Sequence, residues 1–353
     1  MALSVAEFIA FIGSGEPPGA LRSTVLFRQN LAVDVDATDH EGHAPIVFVP
    51  DLHLLSLDRA GGYGDYFHLN QKRKDILLAF LSRLLELRDS TAEFAALKVY
   101  QLGDLHDLWR EAQHWWGEDT AQMLSRQLES HRDLFRLLLA LGAERLAGNH
   151  DRALREPGVR AELAQAPISD YLPLASLHPD FHSFLWGASC RIDLLHGDQV
   201  DAAEMPWYRR PLNPVGSRFA EHDGLVDVGD VDEWKHEVSP PANVDPGLLQ
   251  PTVRFGDPAA TDSQRKFFEE LRDKETCAGD ASADMRQAVR TAVVIGHTHA
   301  PRIVVDHPAG FTLMDCGSWV NQSQATNDPK DVFWNSQIGV LSGNEAAVLQ
   351  VGI

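Results

Sequence analysis

Five short apolar runs in this chain end, one after another, in side chains able to bind a metal ion. No other feature restricts the fold as much. Ile46–Val49 runs into Asp51-Leu52-His53, Leu97–Leu102 into Gly103-Asp104-Leu105-His106-Asp107, and Glu144–Ala147 into Gly148-Asn149-His150-Asp151. Ile192–Leu195 runs into His196-Gly197-Asp198, and Ala292–Ile295 into Gly296-His297-Thr298-His299. Brief β-rich runs stopped by Gly or polar residues read as buried strands. Between them, Gln71–Leu87 places Ile76, Leu77, Phe80, Leu81, Leu84 and Leu85 on one helical face, and Thr120–Leu141 has the same period. Strands alternating with helices predict an α/β layered fold. In an open α/β sheet the carboxyl ends of the strands meet at one crevice. The five clusters, spread from residue 51 to residue 299, are therefore expected to converge.

The later runs Ile303–Asp306, Phe311–Asp315 and Ala346–Gly352 read as strands with tight turns, closing the sheet as a hairpin or meander. Residues 1–44, with the breaker-rich GSGEPPG and the acidic DVDATDHEGH, read as an N-terminal extension to a domain spanning 45–353. Within the extension, Val5, Phe8, Ile9 and Ile12 fit one face of a short docked helix. Residues 199–260 form an insertion rich in Pro, Gly and Asp, with Trp207, Tyr208 and Trp234; a long irregular stretch inside a compact domain is usually either functional or mobile.

Net charge excludes some partners. With 51 acidic and 31 basic residues the chain carries −20, which argues against adhesion to nucleic acid or an anionic membrane. A phosphorylated small-molecule substrate remains compatible, because bound divalent cations invert the field of an acidic site. Cys190, Cys277 and Cys316 have no paired spacing and read as reduced thiols. The opening residues lack a basic stretch and carry Glu7, a poor match to a secretory signal. No apolar run reaches the roughly 18 residues a membrane span needs. The expected location is the cytoplasm; oligomeric state is not legible.

Imidazoles, carboxylates and an amide without thiolate suit Mn, Fe, Zn, Mg or Ni rather than a thiolate-bound structural zinc. Asp104 follows a glycine at a strand-to-loop turn. One carboxylate there can bridge two ions roughly 3.5–4 Å apart, the separation used for in-line phosphoryl displacement. Each piece alone has a bland reading: Asp51 and His53 as a polar turn, Asp104 as a helix cap. All five in order at strand ends are hard to produce by accident.

The set D-x-H, G-D-x-x-D, G-N-H-D, a later histidine and G-H-x-H resembles that of the calcineurin-like metallophosphoesterase superfamily, from about Ile46 to Trp319. The resemblance implies a central sandwich of mixed sheets flanked by helices and two divalent ions, manganese foremost. Asp51, His53, Asp104 and His299 would hold one ion. Asp104 would bridge to a second held by Asn149, His196 and His297. A metal-bridging hydroxide would attack a phosphomonoester or phosphodiester. His150 would protonate the leaving group, its ring oriented by Asp151 or a neighbouring carboxylate. Asp107 would hydrogen-bond a ligand histidine. His106 occupies a variable position, facing the surface or substrate rather than a metal.

GDLHDLW, LLHGDQVD and DCGSWVN look like the branch containing UDP-2,3-diacylglucosamine diphosphatases. His150 stands where that branch tends to carry arginine, and no amphipathic basic helix offers a membrane-facing surface. Both departures favour a general phosphoesterase, with the diphosphatase second. Arg209 and Arg210 beside Trp207 and Tyr208 form either a phosphate clamp or a packed insertion with solvated arginines. A nuclease would predict a basic stripe, and a non-catalytic relative would show missing ligands; neither is seen. No G-x-S-x-G elbow follows a strand, which disfavours a serine hydrolase.

Overall fold

A computed structural model describes residues 3–15, 21–31, 44–56, 69, 71–108, 111, 119–171, 173–179, 181–187, 190–198, 290–297, 301–306, 311–320 and 336–352. One sheet has seven strands: β1 (Arg22–Asn30), β2 (Ile46–Val49), β3 (Lys98–Gln101), β4 (Glu144–Leu146), β5 (Leu177–His178), β11 (Gln337–Ser342) and β12 (Glu345–Gly352). Their order is β1-β12-β11-β2-β3-β4-β5. The second sheet comprises β6 (Phe181–Trp186), β7 (Cys190–Leu195), β8 (Arg290–Ile295), β9 (Arg302–Asp306) and β10 (Phe311–Asp315), in the order β6-β7-β8-β10-β9. The helices are α1 (Val5–Gly13), α2 (Gln71–Ser90), α3 (Thr120–Ser130), α4 (Arg132–Ala140) and α5 (Pro157–Leu163).

Both sheets are mixed. β2, β3, β4 and β5 run parallel, as do β7, β8 and β10, while the remaining pairs are antiparallel. The period-2 alternation of strand side chains decides the layering. Val47, Val49 and Val99 point to one face, where they pack with Leu77, Phe80, Leu84 and Phe135 of the helices. Ile46, Phe48, Tyr100 and Leu102 point to the other and meet Ile192, Leu194, Val294 and Met314 of the second sheet. The expected α/β fold, a sandwich of mixed sheets flanked by helices, is present. Burying each large side chain in these layers contributes roughly 1.5–3 kcal/mol.

Three differences from the sequence expectation have physical causes. The periodic stretch 120–141 is two helices, because His131 leaves helical backbone (φ −125°, ψ 27°) as its Nε2 meets the carbonyl of Leu55 at 2.7 Å. The closing strands form two hairpins in different sheets: β9 with β10 in one, β11 with β12 in the other. Residues 22–30 pair along most of β12, and α1 sits over the same sheet, capped by Ser4 with Glu7 in a capping box. Arg22–Asn30 is polar and half-exposed, as an edge strand is, and so lacks the apolar run that marks the inner strands. The insertion 199–260 lies outside the described residues. Among the described residues, no helix is long and apolar enough to cross a membrane.

Candidate metal centre

The clusters do meet, but at the junction of two sheets rather than the crevice of one. β2, β3 and β4 deliver Asp51, His53, Asp104 and Asn149 from the first sheet, and β7 and β8 deliver His196 and His297 from the second. Backbone bonds lace the turns together: the amides of Leu52 and His53 donate to the carbonyl of Asp104 at 3.1 and 2.9 Å, and Gly296 donates to that of His196 at 3.1 Å.

Asp104 is the hinge of the arrangement. Its Oδ1 accepts from the amide of His150 at 2.9 Å. Its Oδ2 lies 3.5 Å from His53 Nε2 on one side and 3.3 Å from His196 Nε2 on the other. Asp51 is built likewise: Oδ1 accepts from the amide of His297 at 3.0 Å, while Oδ2 lies 3.9 Å from His53 Nε2. Each carboxylate thus has one oxygen fixed by backbone and the other turned to the centre. On the far side of Asp104, Asn149 Oδ1 is 2.9 Å from His196 Nε2 and 3.1 Å from His297 Nδ1, and those two nitrogens are 3.3 Å apart.

The backbone is strained where the side chains converge. His53, Asp104 and His297 have φ of 45°, 50° and 55°, in the left-handed region that costs a non-glycine residue. Such outliers cluster at functional sites because surrounding structure must hold them. Two glycines make room. A Cβ on Gly148 would stand 2.1 Å from Asp104 Oδ1, and one on Gly296 would stand 2.2 Å from Asp51 Oδ1.

The imidazoles are oriented from behind. His53 Nδ1 meets Asp107 Oδ2 at 3.2 Å, and His196 Nδ1 meets the carbonyl of Leu102 at 2.9 Å, which turns both Nε2 atoms inward. Supporting acceptors of this kind set tautomer and basicity in metal-ligating histidines. Asp107 Oδ1 meets His150 Nδ1 at 3.1 Å, so one carboxylate serves two rings, which sit edge to face 4.5 Å apart. Asp151, expected beside His150, instead accepts from the amides of Gly148 at 2.5 Å and His106 at 3.3 Å, closing the turn.

The donor set fits divalent cations. Asp51, Asp104 and Asp107 are all buried, and burying carboxylates is costly unless positive charge compensates. With Nδ1 of His196 donating to Leu102, its Nε2 is a lone-pair atom 2.9 Å from another on Asn149. Only positive charge between them, a proton or a metal ion, relieves that contact. Burial alone would lower the pKa of His196, but Asp104 and Asp51 override it and push it up to about 10. The same pairing holds Asp104 well below the usual carboxylate range against the opposing effect of burial, through His196, His150 and His53. Burial and the neighbouring His150 take His53 down to about 4. Burial, with Asp104 nearby, raises Asp151 to about 7.

Of the remaining expected site residues, His299, Arg209 and Arg210 lie outside the described residues. His106 faces neither surface nor substrate. It is fully buried, its Nδ1 is 2.6 Å from Gln127 Oε1, and it stacks on Phe135 at 5.8 Å. Burial pushes its pKa down to about 3. An ion pair absent from the sequence reading borders the centre: Arg155 clamps Asp198 with two bonds of 2.9 Å and donates to the carbonyl of Ala147 at 2.8 Å. Asp198, two residues after His196, was the only signal for it.

Neither a protein-family model nor a curated protein matches the chain. Among solved structures, it is similar to a conserved uncharacterized protein from Streptococcus pneumoniae TIGR4, described as a predicted phosphoesterase. That match has 11% identity and a TM-score of 0.28 over 85% of this chain and 83% of the other. It is also similar to a Thermus thermophilus sulfate thiohydrolase, SoxB, in complex with glycerol. Here identity is 10% and the TM-score 0.29, over 88% of this chain and 56% of the other. Function does not transfer at such values; the chemistry rests on the side chains just described.

Proposed function

We propose that the chain is a dinuclear metal-dependent phosphoric ester hydrolase acting on a phosphorylated small molecule, with manganese the first ion to test. The observation that carries this reading is Asp104 Oδ2, held between His53 and His196 at 3.5 and 3.3 Å. One oxygen so placed suits a bridge between two cations. Asp51 and His53, joined by His299, would hold one ion, and Asn149, His196 and His297 would hold the other. When bound, such ions polarise a phosphoryl oxygen and lower the pKa of a coordinated water.

The protein's own groups do the remaining work. The side chain of His150 is 14% exposed, against 3% for His53 and 0% for His196, and unlike the partly exposed His297 it is not among the proposed metal ligands, so it is the imidazole left to meet substrate. Asp107 holds its Nδ1, which leaves Nε2 to carry a proton to a departing oxygen. Asp107 also favours the charged ring that must give up that proton.

The test compares metal-stripped and manganese-loaded protein on bis-aryl phosphate, aryl monophosphate, cyclic nucleotide and UDP-diacylglucosamine. Loaded protein should hydrolyse aryl esters, and the ranking should identify the ester class. Asp104→Asn should lower kcat/KM by several orders of magnitude without unfolding the chain. Equal turnover by stripped and loaded protein would refute the mechanism.

A further inference from the structure

We propose that Glu144, His178 and His182 form a separate cation site, suited to zinc or a similar transition-metal ion, on the side edge where the two sheets meet. Glu144 opens β4, whereas Asn149 lies beyond its other end. His178 is on β5, the edge strand of the first sheet, and His182 is on β6, the edge strand of the second. All three side chains point into the gap between the sheets: Leu146, two residues from Glu144, and Trp186, four from His182, belong to the intersheet core, and Leu177, next to His178, packs on the opposite, helix-covered face.

The geometry is that of a two-histidine, one-carboxylate set. His178 Nε2 is 2.6 Å from Glu144 Oε2, His182 Nε2 is 3.9 Å from the same oxygen, and one ligand atom from each residue lies within 4.8 Å of the others. Around a tetrahedral zinc with bonds of roughly 2.0–2.1 Å, neighbouring ligand atoms stand about 3.3 Å apart. The observed spacings straddle that value, so each side chain needs to move by less than about 1 Å to close on an ion. Imidazole and carboxylate without thiolate suit Zn, Co or Ni. The side chains are 24%, 25% and 34% exposed, which gives an ion access and leaves room for a water as fourth ligand.

A purely structural ion pair explains less. Glu144 and His178 alone make a hydrogen bond; His182 adds a second imidazole, its ring centre 4.0 Å from that of His178, with its nitrogen turned to the same oxygen at a distance too long for a hydrogen bond. A shared cation accounts for both rings. Tyr100 backs His182 at 5.5 Å and itself stacks on Phe184, which fixes the wall behind the ligand. The ammonium of Lys98 acts on His182 but is exposed, so solvent screens its opposition to a cation. Because the ligands come from three strands in two sheets, an ion here would staple the sandwich along its open side.

The proposal stands whether or not the central cluster binds metal. Full-length protein stripped of metal is dialysed against zinc, and bound zinc is counted by elemental analysis for wild type, Glu144→Gln, His182→Gln and Asp104→Asn. Each edge variant should hold one zinc fewer than wild type, while Asp104→Asn keeps that ion and still melts at higher temperature with zinc. Identical zinc content in wild type and both edge variants overturns the proposal. Should the edge variants fail to fold, diethyl pyrocarbonate modification of the unaltered chain decides. Zinc should protect His178 and His182, and undiminished modification of both overturns the proposal equally.

Discussion

Gly148→Ala tests the centre without touching a ligand. The added Cβ would stand 2.1 Å from Asp104 Oδ1 and 2.5 Å from the Asp104 amide nitrogen, where ordinary contact begins at 3.4 Å. The carboxylate is short of room by about 1.3 Å, and the backbone nitrogen cannot move aside as a flexible side chain would. Asp104 must shift, and Asp104 Oδ2 loses its place between His53 and His196. Overpacking of this kind costs about 1–3 kcal/mol, a fall of several degrees in Tm. A displacement near 1 Å at the reacting centre costs about 10²-fold in rate. Gly158→Ala is the matched control. It lies in α5 with nothing within 4 Å of its Cβ, and alanine there should stabilise by about 0.5–1 kcal/mol with activity intact. The assay is kcat/KM on an aryl phosphate with manganese, alongside a thermal melt and a metal count. A folded Gly148→Ala protein with wild-type kcat/KM and metal content would refute the role given to Asp104.

Asp107→Asn should cost about 10–100-fold in metal affinity and also lower kcat. An amide offers one acceptor to two rings, and its NH2 would force either His53 or His150 into the wrong tautomer; unchanged metal affinity by dialysis would count against it. Stability of the metal-free protein should fall on both sides of pH 6.5. Below it, His53 and His106 refuse in the folded state, until about pH 4 and 3, protons that the unfolded chain accepts, so stability is lost as pH falls. Above it, His196 keeps its proton up to about pH 10, so its contribution is full below 6.5 and lost as pH rises towards 10. Each group contributes up to about 1.4 kcal/mol per pH unit in its window. Denaturant titrations across pH check this, and a flat profile from pH 4 to 10 would contradict it. Metal uptake at pH 7 should displace the proton from His196, visible as buffer-dependent heat in calorimetry.

Most inner strands were legible because their apolar runs are short and sharply ended, and β2 and β10 fall where the sequence places them, but β11, buried between β12 and β2, was not among those runs. β1 was not, since an edge strand with polar residues such as Arg22, Arg28 and Asn30 carries no such run. That the side chains of Asp51, His53, Asp104, Asn149, His196 and His297 converge was legible too, because each follows a strand end at which chains of this topology meet. Orientation was not. That Asp107 rather than Asp151 meets His150, and that His106 turns inward to Gln127, depends on which way two turns fold back, and adjacent residues of one motif differ in that respect. The edge set was hidden for a similar reason. His178 and His182 are four residues apart, a spacing that suggests a helix face, yet here they lie on strands of different sheets with their rings together.

The strained backbone ties these observations together. His53, Asp104 and His297 each pay about 1–2 kcal/mol for left-handed φ, which together is a sizeable part of a typical 5–15 kcal/mol stability. The buried leucines beside two of these turns, Leu52, Leu54 and Leu105, the backbone bonds that lace the turns and the glycines that let them close together offset that cost. A centre strained before any ion arrives has its ligands already aimed, and cation binding then loses little to reorganisation. The corollary is that much of the chain's stability at neutral pH should be conditional on bound metal. Chelation should lower Tm well beyond what a surface ion would account for, and an unmoved melting temperature would mean that the strain serves something other than metal.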